Sequence, residues 1–331
     1  MIVTSDFKPA PYLRNPHLQT VFASSARRSP ALTTVRERLE LPDGDFLDLD
    51  WLPSPDSPGS ESHSDNTPIT IVLHGLTGSI ESKYARGLLR QIQALGWRGV
   101  LMNFRGASGE PNRLPKGYHS GETGDFDYVA KLLHQRHPNA RLSAVGYSLG
   151  GNVLLKWLGE QGADSVLSTA AAVSVPFDLE LCARAINKGL SRVYQSYLLK
   201  GMRRFAEEKF VRVEPPFTLP DFAQIADFYA FDDAFTAPLF GFADAREYYE
   251  ESSSRKYLSA IKTPTLVIHA EDDPFMSPEV LPTASDLSSA IRMELSKSGG
   301  HVGFVAADSF GRPVYWLEER IPAFLRNQVT Q

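Results

Sequence analysis

The stretch Gly146-Tyr147-Ser148-Leu149-Gly150-Gly151 follows an apolar run, Leu142 to Val145, and precedes Asn152-Val153-Leu154-Leu155-Lys156-Trp157-Leu158. The run reads as a buried strand and the later segment as a helix, which makes the residues between them a sharp turn. A serine with glycine two positions away on each side, at such a turn, is the pattern of a nucleophile elbow. Its backbone is strained, and side chains at 146 or 150 would crowd it, while Gly151 lets the helix lie close to the sheet. The pattern alone is weak, since it arises by chance in roughly one chain in ten of this length. Its weight comes from its surroundings.

Working outward, strand and helix alternate. Ile69 to Leu73 is a β-branched run ending at His74-Gly75, Tyr84 to Leu95 reads as a helix, and Gly99 to Asn103 as the next strand. Phe126, Val129, Ala130 and Leu133 share one face of a helix that stops before Pro138. Val166 to Val175, Pro264 to Ala270 and Ile291 to Leu295 supply further strands, and a last helix turns Leu317, Ile321, Phe324 and Leu325 inward. Such alternation predicts an α/β fold, a mainly parallel central sheet with helices on both faces, as a single domain over 1–331. The interruption at 176–260 is mostly helical and is expected to cap the C-terminal edge of the sheet. Residues 53–68, rich in proline and serine, read as a mobile surface loop. Residues 7–20 hold too many prolines for a strand or a long helix and read as an extended arm. Leu47, Leu49 and Trp51 alternate with Asp48 and Asp50, predicting a strand with one wet face. With Asp43 and Asp45 those acids lack the spacing of a calcium loop, and they read as a solvated face.

Composition sets bounds. Of 331 residues, 42% are hydrophobic and 22% charged, the profile of a soluble globular protein. The net charge of −5 gives no reason to expect nucleic acid. One cysteine, Cys182, excludes an internal disulfide and suits a reducing compartment, so a cytoplasmic location is expected. Cys182 lies in an apolar helical stretch and reads as a buried structural thiol. Neither a signal peptide nor a run of apolar residues long enough to span a membrane is found.

A serine hydroxyl needs a general base, and the base a carboxylate to orient it. On this architecture the order is serine, acid, histidine. Downstream of Ser148, the strand ending at Ala270 leads into Glu271-Asp272-Asp273-Pro274, and the next strand leads into Gly299-Gly300-His301-Val302-Gly303. Both segments leave the C-terminal ends of strands, where ligand crevices form in open α/β sheets. Of eight histidines, His301 alone has the right order and context. His17, His63, His134 and His137 read as solvated, His119 as ordering its loop, His269 as packed in its strand, and His74 as shaping the loop it precedes. Asp273 is preferred to Asp272 as the acid because Pro274 locks the turn behind it; Asp272 then reads as a solvated or loop-capping carboxylate. Donors for a tetrahedral oxyanion are expected from the backbone N–H groups of Leu149, at a helix N-terminus, and of Leu76.

Several segments together resemble the YheT-like esterases of the α/β-hydrolase superfamily, related to the animal ABHD lipases. They are Leu13-Arg14-Asn15-Pro16-His17-Leu18-Gln19-Thr20, His74-Gly75-Leu76-Thr77-Gly78, Asn103-Phe104-Arg105-Gly106, Tyr118-His119-Ser120-Gly121, the elbow with Asn152, Asp272-Asp273-Pro274-Phe275, and Gly299-Gly300-His301-Val302-Gly303-Phe304. The resemblance runs almost end to end. It implies the α/β-hydrolase fold, a Ser148–Asp273–His301 triad and hydrolysis of carboxylic esters, acylglycerols among them. Thioesterase, amidase and acyltransferase chemistry share that triad, and a silent lipid-binding protein is the rival from another class. No cofactor or metal is expected, because no phosphate loop, dinucleotide fingerprint or zinc spacing occurs.

Within the cap, Arg184, Lys188, Arg192, Lys200, Arg203, Arg204, Lys209 and Arg212 stand against Glu207 and Glu208 in an otherwise acidic chain. Apolar Ile186, Leu190, Val193, Tyr194, Tyr197, Leu198 and Phe205 are interleaved. One reading is an amphipathic helix with solvated cations; the other rests that face on anionic lipid. Both put the apolar stripe, with Phe231, Phe235, Leu239 and Phe240, around an acyl pocket.

Overall fold

The computed structural model describes residues 1–53 and 64–329. The expected loop at 53–68 falls mostly outside them, as does His63. The strands are β1 (Ile2–Thr4), β2 (Val35–Glu40), β3 (Phe46–Trp51), β4 (Ile69–Leu73), β5 (Arg98–Met102), β6 (Leu142–Tyr147), β7 (Thr169–Val173), β8 (Thr265–Ala270), β9 (Ile291–Ser296), β10 (Val305–Ala307) and β11 (Pro313–Tyr315). The helices are α1 (Pro16–Val21), α2 (Lys83–Ala94), α3 (Gly124–Arg136), α4 (Leu149–Gln161), α5 (Leu179–Ile186), α6 (Ser191–Phe210), α7 (Phe228–Phe231), α8 (Ala237–Phe240), α9 (Ala245–Ser252) and α10 (Leu317–Val329).

Nine strands form one sheet in the order β1-β9-β8-β7-β6-β4-β5-β3-β2, and β10 and β11 form a separate hairpin. Pairing is parallel from β1 through β5 and antiparallel at the β5–β3–β2 edge. From β4 the chain steps to β5 on one side and then crosses to β6 on the other. The direction of winding reverses between β4 and β6, where α/β sheets open a crevice at the strands' C-terminal ends. β4, β6, β7 and β8 are buried along their whole length, as expected of strands covered on both faces. One apolar layer joins α3 and α4 to the sheet through Phe126, Leu133, Val153 and Trp157. The opposite layer holds Leu88, Ile92, Ile321 and Leu325 of α2 and α10.

The wet face expected for β3 is not there. Asp48 and Asp50 are each only 2% exposed. Register sets Arg38 opposite Asp48 and Arg36 opposite Asp50. Each guanidinium holds its carboxylate with two bonds of 2.9 to 3.0 Å. Asp45, fully buried, takes Arg105 and Asn112, and Arg105 also grips Asp125 and Asp43. The acid cluster is an ion-pair network, because bidentate arginines compensate the desolvation.

Between β7 and β8 the chain makes its helical excursion, α5 to α9. Asn152, at the first turn of α4, pins its return: Nδ2 donates to Ser252 O at 2.7 Å and Oδ1 accepts from Ser254 N at 3.0 Å. Among the described residues no helix is long and apolar enough to cross a membrane.

Candidate active site

Ser148 lies between β6 and α4 with φ 51° and ψ −118°, a region that non-glycine residues avoid. The flanking glycines make the turn sterically accessible. A Cβ on Gly146 would come within 2.4 Å of the Gly150 carbonyl oxygen. A Cβ on Gly150 would meet the carbonyl oxygens of His74 and Leu73 at 2.5 and 2.6 Å, so Gly150 answers the approach of β4 rather than crowding at Ser148 itself. Gly151 would strike Val175 at 2.8 Å.

His301 is carried on the loop after β9, and its Nε2 is 3.0 Å from Ser148 Oγ. Its Nδ1 is 2.8 Å from Asp273 Oδ2, on the loop after β8. Asp273, 3% exposed, accepts a second bond at Oδ1 from Phe275 N–H, 2.9 Å. With Nδ1 donating to the carboxylate, Nε2 offers a lone pair to the serine proton, the tautomer a general base requires. Asp272 points elsewhere, accepting the Gly300 N–H at 3.0 Å, and burial raises its carboxyl above the ordinary range. It caps the histidine loop.

The loop after β4 lies against the serine: a Cβ on Gly75 would be 3.3 Å from Ser148 Cβ. Gly75 N–H donates to Tyr84 Oη at 2.8 Å and Thr77 N–H to Tyr118 Oη at 3.0 Å. The Leu76 N–H between them has no hydrogen-bond partner among the described residues. Leu149 is the first residue of α4, so its N–H has no intrahelical acceptor and shares the positive end of the helix dipole. His74, fully buried, spans the base of this loop, with Nδ1 donating to Gly75 O at 2.8 Å and Nε2 accepting from Phe104 N–H at 3.2 Å. Burial pushes its imidazole down to about 4, which keeps it neutral.

The other histidines divide. His119 accepts from Gly121 N–H within its own loop, and burial takes it down to about 3. His269 is packed against Phe177. His134 is exposed, but His17 and His137 are partly covered, by Tyr194 and by Arg98. Cys182 is half-buried, packed against the main core on one side and lining the cavity on the other; burial, with Asp273 and Asp178 nearby, pushes its thiol well above the ordinary value, which suits a wall rather than a nucleophile.

Three supports of His301 carry no local signal in the sequence. Phe275 stacks on its ring at 3.9 Å, 8° from parallel. Thr20 Oγ1, on α1, accepts the His301 N–H at 2.9 Å. Ser174 Oγ accepts the Val302 N–H at 3.0 Å. The resemblance segment at residues 13–20 pointed to the arm, though not to what it does.

Ser148 and His301 open into a cavity of about 520 Å³ walled by Leu179, Ile186, Tyr194, Leu198, Phe228 and Met276. Phe205, Phe231, Phe235, Leu239 and Phe240 line a second cavity of about 370 Å³ across the Leu76–Ser79 loop, so the expected single acyl pocket is divided. Leu190 and Val193 face water and belong to neither. The cap's cations are not all solvated. Lys209 is fully buried against Asn112 Oδ1 at 2.6 Å and is brought down to about 8 by burial, and Arg203 donates to Ile225 O. Among the described residues no group of three or more His, Cys, Asp or Glu is placed to hold a metal ion.

Comparison with known proteins agrees with this architecture. The α/β-hydrolase-fold family matches residues 68–308. The candidate esterase YheT of Escherichia coli is 42% identical over 97% of this chain and 93% of its own. The monoacylglycerol lipase of Saccharomyces cerevisiae is 33% identical over 82% of this chain and 62% of its own. Among solved structures, the Pyrococcus furiosus esterase Pf2001 shares the fold at a TM-score of 0.54 and 16% identity, covering 99% of this chain and 98% of its own. The chain belongs to the α/β-hydrolase family, in the branch of the YheT-like esterases.

Proposed function

We propose that this α/β hydrolase cleaves carboxylic esters through an acyl-enzyme on Ser148, with His301 as base and acid and Asp273 orienting it. The observation that carries the reading is the unbroken chain from Ser148 Oγ to His301 Nε2, 3.0 Å, and from Nδ1 to Asp273, 2.8 Å. Oγ attacks the ester carbonyl as Nε2 takes its proton. The carbonyl oxygen becomes an oxyanion toward the N–H groups of Leu76 and Leu149. Imidazolium then protonates the departing alcohol, the C–O bond breaks, and the acyl group stays on Ser148. Water, deprotonated by His301, attacks that ester and releases the acid, restoring the serine proton.

The substrate class follows from the walls. About 520 Å³ of mainly apolar cavity suits a short- to medium-chain acyl group or an acylglycerol-like ester, and a relative named for monoacylglycerol hydrolysis points the same way. The test is covalent labelling with a fluorophosphonate, read by intact mass and peptide mapping. One adduct is expected, on Ser148, absent from Ser148→Ala. Labelling that survives that substitution, or a Ser148→Ala protein that still turns over p-nitrophenyl butyrate, overturns the reading.

A further inference from the structure

Two helices that contribute to the cavity lining, α1 and α6, leave apolar side chains in water. On α1 the inner face is Gln19 and Thr20, buried beneath the histidine loop. The opposite face leaves Leu18 52% and Val21 44% exposed. On α6, Gln195, Leu199 and Ala206 turn inward. Leu190, Val193 and Tyr197, spaced by three and four, share the outer face at 71, 67 and 74% exposure. His17 joins the two helices, its ring stacked on Tyr194 at 5.7 Å and its Nδ1 3.1 Å from Tyr194 Oη. Thr20 lines the cavity from α1, Ala23 from the turn after it, and Tyr194 and Tyr197 from α6, so both helices border the cavity, and Tyr197 belongs at once to its lining and to the exposed face.

A single exposed leucine needs no explanation, whereas several around one opening mark an interaction surface. Charge says what kind. Of the cap's basic residues, Arg184 and Arg204 are paired with Glu180 and Glu208, Arg203 holds a carbonyl and Lys209 is buried. Lys188, Arg192, Lys200 and Arg212 remain exposed without an ion pair among the described residues, the first three beside the apolar stripe, although Lys188 lies within the field of Glu279 and Arg212 within that of Glu110. An apolar strip flanked by uncompensated cations, on a protein of net charge −5, is the pattern of an interfacial helix on anionic lipid.

We infer that this face seats the protein on an anionic lipid surface. Leu18, Val21, Leu190, Val193 and Tyr197 enter the boundary between headgroups and acyl chains, and Lys188, Arg192 and Lys200 meet the phosphates. The cavity mouth then faces the lipid, and an ester passes from the surface to Ser148 without crossing water. The inference rests on the ester-hydrolase reading for its purpose, but vesicle binding needs no turnover, so the two fail separately.

The test is co-sedimentation of the full chain with vesicles of phosphatidylcholine alone or mixed with phosphatidylglycerol, at low salt. Wild type is expected to partition onto the mixed vesicles. A Lys188→Gln/Arg192→Gln/Lys200→Gln variant should lose about fivefold per cation, on the order of 100-fold together. A Leu190→Asp/Val193→Asp variant, altered at two exposed positions outside the cavity lining, should stop binding either vesicle. Both variants should hydrolyse water-soluble p-nitrophenyl acetate like wild type. Wild type that stays in the supernatant overturns the inference, as do variants that bind like wild type. Sedimentation equilibrium tests the other occupant. A dimer dissolved by Leu190→Asp/Val193→Asp, without vesicle binding, would assign the face to a second copy and equally overturn it.

Discussion

Asp273→Asn puts the proposed mechanism under its sharpest strain, because the change is isosteric and its consequence can be worked atom by atom. The two carboxylate oxygens accept from two donors, Phe275 N–H at 2.9 Å and His301 Nδ1 at 2.8 Å, in a site too buried for water to replace either. An amide has only one acceptor oxygen. Phe275 N–H can do nothing but donate, whereas the imidazole can give up its Nδ1 proton. The amide oxygen therefore goes to Phe275 and the NH₂ group to His301 Nδ1. The imidazole proton moves to Nε2, 3.0 Å from Ser148 Oγ, where the base should be. Selecting the wrong tautomer costs about 10⁴ in kcat for a serine triad, which is about 5 kcal/mol of activation free energy. Asp272→Asn is the control. Its carboxylate takes only backbone N–H groups, that of Gly300 at 3.0 Å first among them, and an amide oxygen keeps that bond, so its cost should stay within about tenfold. Steady-state kinetics on p-nitrophenyl butyrate, with melting temperatures to establish folding, separate the two. A folded Asp273→Asn protein within tenfold of wild type refutes the tautomer argument, and a larger loss from Asp272→Asn transfers the acid role to its neighbour.

Thr20→Val should lower kcat by about tenfold or more with KM little changed, since it leaves the His301 N–H without its acceptor, a loss worth about 1–3 kcal/mol; Thr20→Ser should restore the rate, and wild-type kinetics in Thr20→Val would remove α1 from the positioning of His301. Asp232 lines the cavity on a π-helical turn, bonded by Thr236 and Tyr249, and burial raises its carboxyl from the ordinary range to about 6. A carboxyl with a raised folded pKa binds more protons folded than unfolded, so stability falls as pH rises from about 4 to about 6 and the loss persists above, about 3 kcal/mol in all. Urea melts should therefore find Asp232→Asn more stable than wild type at pH 8, with the gap closing toward pH 4; a gap that widens on acidification contradicts the sign.

How far the fold could be read depended on whether each signal was local. β4 is complete within Ile69–Leu73, a run of five residues that declares burial on both faces, and the helix α2 was placed within one residue at each end. β1, β10 and β11 have three residues each, too few to show a period, and they exist because a neighbour offers them a register. The misreading of β3 has the same root. Alternation of Leu47, Leu49 and Trp51 with Asp48 and Asp50 says which residues point to opposite faces, and it says nothing about whether both faces are covered. That is settled by Arg36 and Arg38 on β2, whose long-range register turns a wet face into a buried ion-pair ladder.

The site divides along the same line. Ser148 and Leu149 are legible because a strained turn must advertise itself with glycine within two residues. Asp273 was separable from Asp272 only by weak turn chemistry, because adjacent carboxylates differ in direction and direction is set by Phe275 N–H and Gly300 N–H. Nothing in the sequence says why glycines surround His301, and the structure gives the cause. A Cβ on Gly300 would lie 2.5 Å from Pro16 O, and one on Gly303 would lie 2.9 Å from the Gln19 carbonyl carbon. They are small because α1 is pressed against them, and because the loop is itself tight: Gly300 has φ +60°, and a Cβ on Gly303 would also meet Gly299 O at 2.4 Å. Thr20 Oγ1 accepts the His301 N–H, while Gln19 donates to Val305 O at 3.0 Å and accepts from its N–H at 2.7 Å. The His301 loop is therefore shaped by α1 at the other end of the chain, and a segment that read in the sequence only as an extended arm closes the candidate site.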